Sequence, residues 1–472
     1  YRQPLVNATL AQAYINGGQL NPQNVAAASA AVINDILDYE NAQDTIQQLF
    51  VFRTLADGPL FAVPGGDVKL AVGLEYQDAS AKTRQQNGRR DTLSNLAWEK
   101  GGRNTKSVFG ELSVPLFTFL DLSASLRHDE YSDFGSTTNP SFGARLKPFE
   151  WLSIYGHWSK SFNAPTVLDS FGIATARYIP NSVGVNSIPA QLGLWHVGDG
   201  TGVVHATGTS SSLMPQTSEN WSIGFDAKPF DGFRFGVNYY AINFDNILGA
   251  VDPQQIAAWQ ANPEKFIVNP TEAEYNAFMA RLANGEQLKA EIGGYQNVGY
   301  LLDRITSNLT SAKLRGLDFN ADYSFGLGNG TMSLGFAGNV QLSIKQNNSG
   351  IIRDVLAEDT PKVSVTGNIG WRNDTWSTKM TVNYTGGYRY QTYQSTSSAL
   401  FYDDISPFIT ANLFIGYNFG DRGGALDGLS LRLNVDNLFN EKPQVAYQNN
   451  SNLAYRNWTL GRVIKLGFSK EF

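Results

Sequence analysis

Two histidines and an aspartate share one glycine-rich stretch of the chain: His196, Asp199 and His205. Imidazole and carboxylate can ligate zinc, but structural zinc sites gather four ligands at short, regular spacings. No such spacing surrounds this trio, so it reads as solvated loop residues and no metal is expected. Carboxylates recur on polar strand faces at Glu75, Glu111, Asp226, Asp318 and Asp322. A pair of them could serve as general acid and base. Arg and Lys share those faces, however, and ion pairing is the better reading. The chain has no Gly-x-Ser-x-Gly, no phosphate-binding loop and no His-Glu-x-x-His, so neither an enzyme nor a cofactor is expected. The aromatic residues are more informative. Tyr388, Tyr390, Tyr393, Phe401 and Tyr402 crowd one segment, and Trp195 stands in another. Rings beside Asn, Gln and Thr suit a sugar or a flat organic ligand, held by stacking and hydrogen bonds. The same rings would equally cap an aromatic belt at a membrane surface. Their spacing leaves both readings open.

The composition bounds what could carry such a site. The 472 residues have a net charge of −6, 46 glycines and no cysteine. Disulfides and thiolate metal sites are excluded. The negative balance, with no basic run, argues against a nucleic-acid partner. No stretch approaches the roughly 20 apolar residues of a membrane helix. That leaves open a β-barrel, whose strands alternate and average out as mildly polar. Tyr1 is not expected to be the translated start.

Alternation at strand period dominates the chain. Leu429, Leu431, Leu433 and Val435 are apolar, whereas Ser430, Arg432, Asn434 and Asp436 between them are polar. Leu317, Phe319, Ala321, Tyr323 and Phe325 oppose Asp318, Asn320, Asp322 and Ser324 in the same way. The final residues repeat it, with Ile464, Leu466, Phe468 and the terminal Phe472 on one face and Lys470 interrupting it. The pattern predicts about 14 strands, with one more near Gln47–Leu55. Connections alternate in length. Short turns such as Lys228–Gly232, Leu327–Gly330 and Arg372–Thr375 contrast with long loops near Asn163–Pro215, Ile247–Tyr300, Gln391–Asp404 and Glu441–Arg456. An alanine-rich piece, Asn24–Ile36, suits a short helix in a further outer loop. The polar faces carry Arg, Asp, Glu, Lys and Asn row after row, which a soluble interior could not hold. Turning the apolar faces outward resolves this. The expected fold is therefore all-β: a transmembrane antiparallel β-barrel with tight turns at one rim and long loops at the other.

Several motifs, in one order, resemble the carboxy-terminal barrel portion of a TonB-dependent outer-membrane receptor. They are Asp57–Tyr76, Arg127–Ser136 with Asn139–Gly143, Ser159–Pro165, Pro215–Trp221, Tyr239–Ile247, Arg315–Asp318 and Val435–Pro443. Asn163 stands where that family usually has Arg before Ala-Pro. The resemblance implies a barrel of about 22 strands, of which residues 1–472 would be the carboxy-terminal portion. The amino-terminal plug and the first strands would lie outside this sequence. It further implies a bacterial outer-membrane location, contact with membrane lipid, and active import. A ligand such as a ferric siderophore, cobalamin, an oligosaccharide or another metal chelate would bind the outer loops. An inner-membrane complex would then pull on the plug through TonB. The rival expectation is a passive channel or adhesion barrel closing on about 14 strands. Asn437 and Asn440 are expected to hydrogen-bond loop backbone at the outer rim. Phe162, Ala164 and Pro165 are expected to stop a strand.

Overall fold

The computed structural model describes residues 2–89, 99–172, 174–179, 202–251, 262–348, 350–358, 360–393, 400–420, 424–446, 452–453 and 460–471. One antiparallel sheet forms a curved wall. Its strands are β2 (Tyr39–Val63), β3 (Gly66–Arg89), β4 (Glu99–Phe117), β5 (Leu120–Tyr131), β6 (Gly135–Phe149), β7 (Leu152–Asn163), β10 (Gln216–Phe230), β11 (Phe233–Gly249), β14 (Ser307–Leu327), β15 (Gly330–Asn348), β17 (Val363–Arg372), β18 (Trp376–Thr385), β21 (Phe408–Asn418), β22 (Leu429–Asp436) and β25 (Val463–Lys470). Each pairs with the next, so the wall is a meander of fifteen strands. The predicted segment Gln47–Leu55 lies inside β2, which runs well beyond it at both ends. Two short strands, β1 (Arg2–Leu5) and β16 (Ile351–Asp354), pair onto β2 and β15. The remaining strands belong to the long connections: β8 (Ala174–Ile179), β9 (Gly202–Gly208), β12 (Phe266–Val268), β13 (Val298–Asp303), β19 (Tyr388–Tyr393), β20 (Leu400–Ile405), β23 (Val445–Ala446) and β24 (Asn452–Leu453).

The wall is inside out relative to a soluble sheet. Register places Leu70, Leu112, Ala124, Phe142, Trp158 and Trp221 in one cross-strand row from β3 to β10. Leu126 is 52% exposed and Ile223 60%, whereas Asp129 is 1% exposed and Glu75 5%. A period-two strand with one face in lipid gives this distribution, because only the polar face has partners to bury against. The largest buried apolar cluster lies in an outer subdomain instead.

The connections after β7 and β11 build that subdomain together. Its sheet runs β12-β13-β9-β8, with β9 and β13 parallel, so the two connections share one sheet. Two further helices, numbered after the pair near the amino terminus, pack on it. Among the described residues the helices are, in chain order, α1 (Ala8–Asn16), α2 (Ala30–Leu37), α3 (Glu272–Met279) and α4 (Gly285–Ile292). Val204, Met279, Leu288 and Leu301 fill the subdomain core. Asp303, 2% exposed, accepts from Arg281 Nη2 at 2.6 Å and Lys265 Nζ at 3.3 Å. Both stretches, expected from the sequence as long loops, are folded. The capping box Thr271-x-x-Glu274, in which each side chain reaches the other's backbone, was the legible local sign of structure there. Within the predicted helix Asn24–Ile36, α2 forms from Ala30 and a short 3-10 turn spans Val25–Ala27.

Candidate ligand-binding face at the outer mouth

β18 and β21 continue past the membrane wall as a two-stranded ribbon, β19–β20. The chain bends between them at Gly386-Gly387 and Ser406-Pro407. Gly387 has no room for a side chain, because a Cβ would lie 2.7 Å from the Ile405 carbonyl oxygen. The ribbon is held at its base. Arg389 donates its backbone N–H to Ala357 O at 2.7 Å, and Ser406 donates to Gln444 Oε1 at 2.9 Å. Gln444 in turn donates to Asp404 O at 3.0 Å, tying in the last long connection. Arg353 and Glu358 pair at 2.8 Å below the Ala357 turn. Between these parts lies a cleft of about 510 Å³, lined by residues that include Asp354, Glu358, Tyr388, Arg389 and Asp404. It combines an aromatic ring, a guanidinium and carboxylates, a donor and acceptor set suited to a polar organic ligand.

Of the sequence-predicted site residues, Tyr388 lines this cleft and is half-buried. Tyr390 pairs with Asp403 and Thr392 with Phe401, so Tyr388, Tyr390 and Phe401 occupy register positions of one parity. Tyr393, opposite Leu400, and Tyr402, opposite Gln391, occupy the other. The predicted cluster therefore spans both register parities of the ribbon. Trp195 lies outside the described residues, as do His196 and Asp199. His205 is in β9, where burial, then the charges of Arg177 and Arg304, pushes its pKa down to about 4. It is buried, not a solvated loop residue, and the described residues contain no cluster of three metal-ligating side chains.

Inside the wall, the ion pairing expected of Glu75, Glu111, Asp226, Asp318 and Asp322 is present at Glu75 and Asp322. Glu75 accepts from Arg53 Nε at 2.5 Å, Gln77 Nε2 at 2.7 Å and Arg127 Nη2 at 2.8 Å. Arg127 Nε also donates to Asp129 Oδ1 at 2.8 Å, and Ser107 Oγ donates to the same oxygen at 2.6 Å. Both guanidinium groups stand over the Phe109 ring, Arg53 at 5.6 Å and Arg127 at 5.4 Å from its centroid. Asp322 pairs with Arg234 at 3.2 Å, whereas Asp318 accepts from the Asn339 amide at 2.7 Å. These carboxylates are committed to positioning the wall.

The rim motifs behave as expected. Asn437, fully buried with φ of 51°, exchanges two 2.8 Å hydrogen bonds with the Glu441 backbone. Asn440 Oδ1 accepts from Arg462 N at 3.0 Å. β7 ends at Asn163, and the Pro165 carbonyl accepts from Arg103 Nη1 at 2.7 Å.

An inside-out antiparallel meander, with short turns at one rim and folded loops over the other, defines a transmembrane β-barrel wall. The model of the TonB dependent receptor-like β-barrel family matches residues 5–438, and the chain belongs to that family. Among solved structures, the siderophore receptor PirA from Acinetobacter baumannii is similar, with TM-score 0.60 and 15% identity over 92% of this chain and 59% of that one. The ferric enterobactin receptor PfeA from Pseudomonas aeruginosa gives TM-score 0.57 and 16% identity over 91% and 55%. The outer membrane transporter YddB from Escherichia coli gives 0.59 and 10% over 92% and 55%. At these identities the likeness is one of fold. This chain spans a little over half the length of those proteins. No curated protein matches it.

Proposed function

We propose that this chain is part of the wall of a bacterial outer-membrane receptor that captures a scarce organic or metal-chelate ligand at its outer loops. Import is driven through TonB by an inner-membrane complex that pulls on a plug inside the barrel. The observation that carries this reading is the inside-out wall, within a family of TonB-dependent receptor barrels. The ribbon cleft at Tyr388 is the favoured capture point, because it joins a predicted site residue to a described cavity. Siderophore, cobalamin and oligosaccharide ligands all suit its mixed aromatic and polar lining.

The wall itself supports a larger barrel. Its strands alternate in direction, so β2 and β25, first and fifteenth, run the same way. Bacterial single-chain barrels close with even strand numbers. On this reading further strands of the receptor stand between β25 and β2. Uptake of ferric siderophores, cobalamin and labelled oligosaccharides by cells carrying the intact receptor tests the proposal. Accumulation of one of these must stop when TonB is removed. Accumulation of any of them that persists without TonB and after collapse of the proton gradient would favour the passive-channel reading.

A further inference from the structure

Charge in the ribbon cleft does not balance. At Glu75, inside the wall, two guanidinium groups meet one buried carboxylate. The cleft has the opposite balance. Its described lining holds three carboxylates, Asp354, Glu358 and Asp404, and one guanidinium, Arg389. Glu358 is matched by Arg353 at 2.8 Å. Arg389 and Asp404 are cross-strand partners, with Nε and Oδ1 3.9 Å apart. Asp354 is left over. Its Oδ1 accepts the Leu356 backbone N–H at 3.1 Å, and it forms no ion pair among the described residues. Lys345 stands opposite it in the register of β15 and β16, and the two do not pair.

The turn that carries these carboxylates is held in one shape. Glu358 donates its backbone N–H to Val355 O at 2.9 Å and bridges to Arg389 in parallel. Ala357 between them sits in the left-handed region, at φ of 61°. A residue other than glycine stays there only where its surroundings fix it. The half-buried Tyr388 ring lines the same cleft. An aromatic face attracts an organic cation through its quadrupole. A carboxylate in a concave, low-dielectric wall concentrates cations near it. Ring and unmatched carboxylate therefore favour the same sign of charge, and Arg389 leaves donors for a ligand's neutral oxygens. A second cavity at this rim has a similar character. α1 and α2 lie between β1 and the outer end of β2. Beside them is a cavity of about 980 Å³, lined by residues that include Tyr14, Gln19, Asn34, Asp35 and Asp38. Its described lining contains no Lys, Arg or His.

We propose that the ribbon cleft selects an organic ligand bearing a protonated amine, which Asp354 and the Tyr388 ring hold at the outer mouth. The inference rests on the reading of this cleft as the capture point, and it narrows the ligand class. Among siderophores and oligosaccharides, members with a free amine are taken, and their acylated or anionic counterparts are refused.

These 472 residues contain no cysteine, which permits a test by thiol chemistry. In the intact receptor, Leu356→Cys sets a thiol in the cleft lining, and Met214→Cys sets one at an exposed reference position near the same rim. Each variant is treated with cationic trimethylammonium-ethyl methanethiosulfonate and with anionic sulfonatoethyl methanethiosulfonate, and the parent receptor supplies the background. The ratio of cationic to anionic rates should be about tenfold higher at Leu356→Cys than at Met214→Cys. Adding Asp354→Asn should bring it within about twofold of the reference. Ligand pairs that differ only in free amine then compete with the reagents: ferrioxamine B against its N-acetyl derivative, and glucosamine hexamer against N-acetylglucosamine hexamer. The free amine of at least one pair should slow modification about fivefold more than its acetylated partner. A rate ratio equal to the reference, or no preference for the amine in either pair, would overturn the inference and leave the import reading standing. A cationic ratio with amine protection, in a receptor whose uptake ignores TonB, would support the cleft assignment and overturn the import reading instead. If Leu356→Cys does not assemble, calorimetry of the unaltered receptor with the same pairs decides. Tighter binding of a free amine supports the inference, and equal or absent binding overturns it.

Discussion

Three donors converge on the carboxylate of Glu75, and each comes from a different constraint of the fold. Arg53 is its cross-strand partner, Gln77 lies two residues along the same face, and Arg127 reaches over from β5. The side chain is 2% exposed, and its loss would take from Arg53 its cross-strand carboxylate and leave Arg127 to Asp129 and Ser107. A hydrogen bond to a charged group contributes about 1.5–3 kcal/mol. Glu75→Ala should therefore lower the stability of the wall by about 3 kcal/mol, read as a shift in the temperature at which the folded form loses its heat-modifiable mobility. The ribbon residues carry a different expectation. Tyr388 and Tyr390 share one register parity and Tyr393 the other. Stacking on each ring is worth about 0.5–1.5 kcal/mol beyond area burial. The Tyr388→Ala, Tyr390→Ala double change should weaken ligand capture by about 1–3 kcal/mol, or about 5- to 150-fold. Surface abundance and uptake measured in the same cells check this; unchanged uptake at normal abundance would place the site elsewhere.

Strands were the legible elements, because period-two alternation is imposed by the face each residue occupies. The row Leu317, Phe319, Tyr323 could be read directly, and Gln47–Leu55 was found although both of its faces carry apolar residues. The outer subdomain was not legible. Its defining contact joins β9 to β13 across nearly a hundred residues of chain, and no local periodicity reports a parallel pairing of that span. The spread of the aromatic cluster over both register parities was equally hidden, since it depends on the register of β19 against β20. Two predictions belong to this scale. Ile223→Arg, on the outward face of β10, should cost about 2–4 kcal/mol near mid-bilayer, whereas Ser222→Arg on the lumen face should be far milder. Assembly yields of the two variants compare them directly. In the subdomain, the fold favours neutral His205, whose pKa is lowered from 6.5 to about 4. A lowered pKa makes its stabilisation complete above about 6.5 and lost as pH falls toward about 4. Amide exchange in β9 and β13 should accelerate over that interval, and His205→Leu should flatten the part of the response that histidine supplies.

The molecule as a whole is a wall with two rims of different character. One rim is fixed by short turns. The other is built from connections that fold on one another and present the ribbon cleft. Both edges of the wall, β2 beyond its short pairing with β1 and β25 on its outer side, lack a strand partner among the described residues. Unpaired strand backbone in hydrocarbon costs several kcal/mol per group. The central claim is that this wall belongs to a larger receptor barrel, and electrical recording from the chain alone tests it most directly. Refolded in detergent and reconstituted in a planar bilayer, these 472 residues should give no stable, uniform conductance. A steady single-channel current of one size, from protein with the heat-modifiable mobility of a closed barrel, would contradict the account.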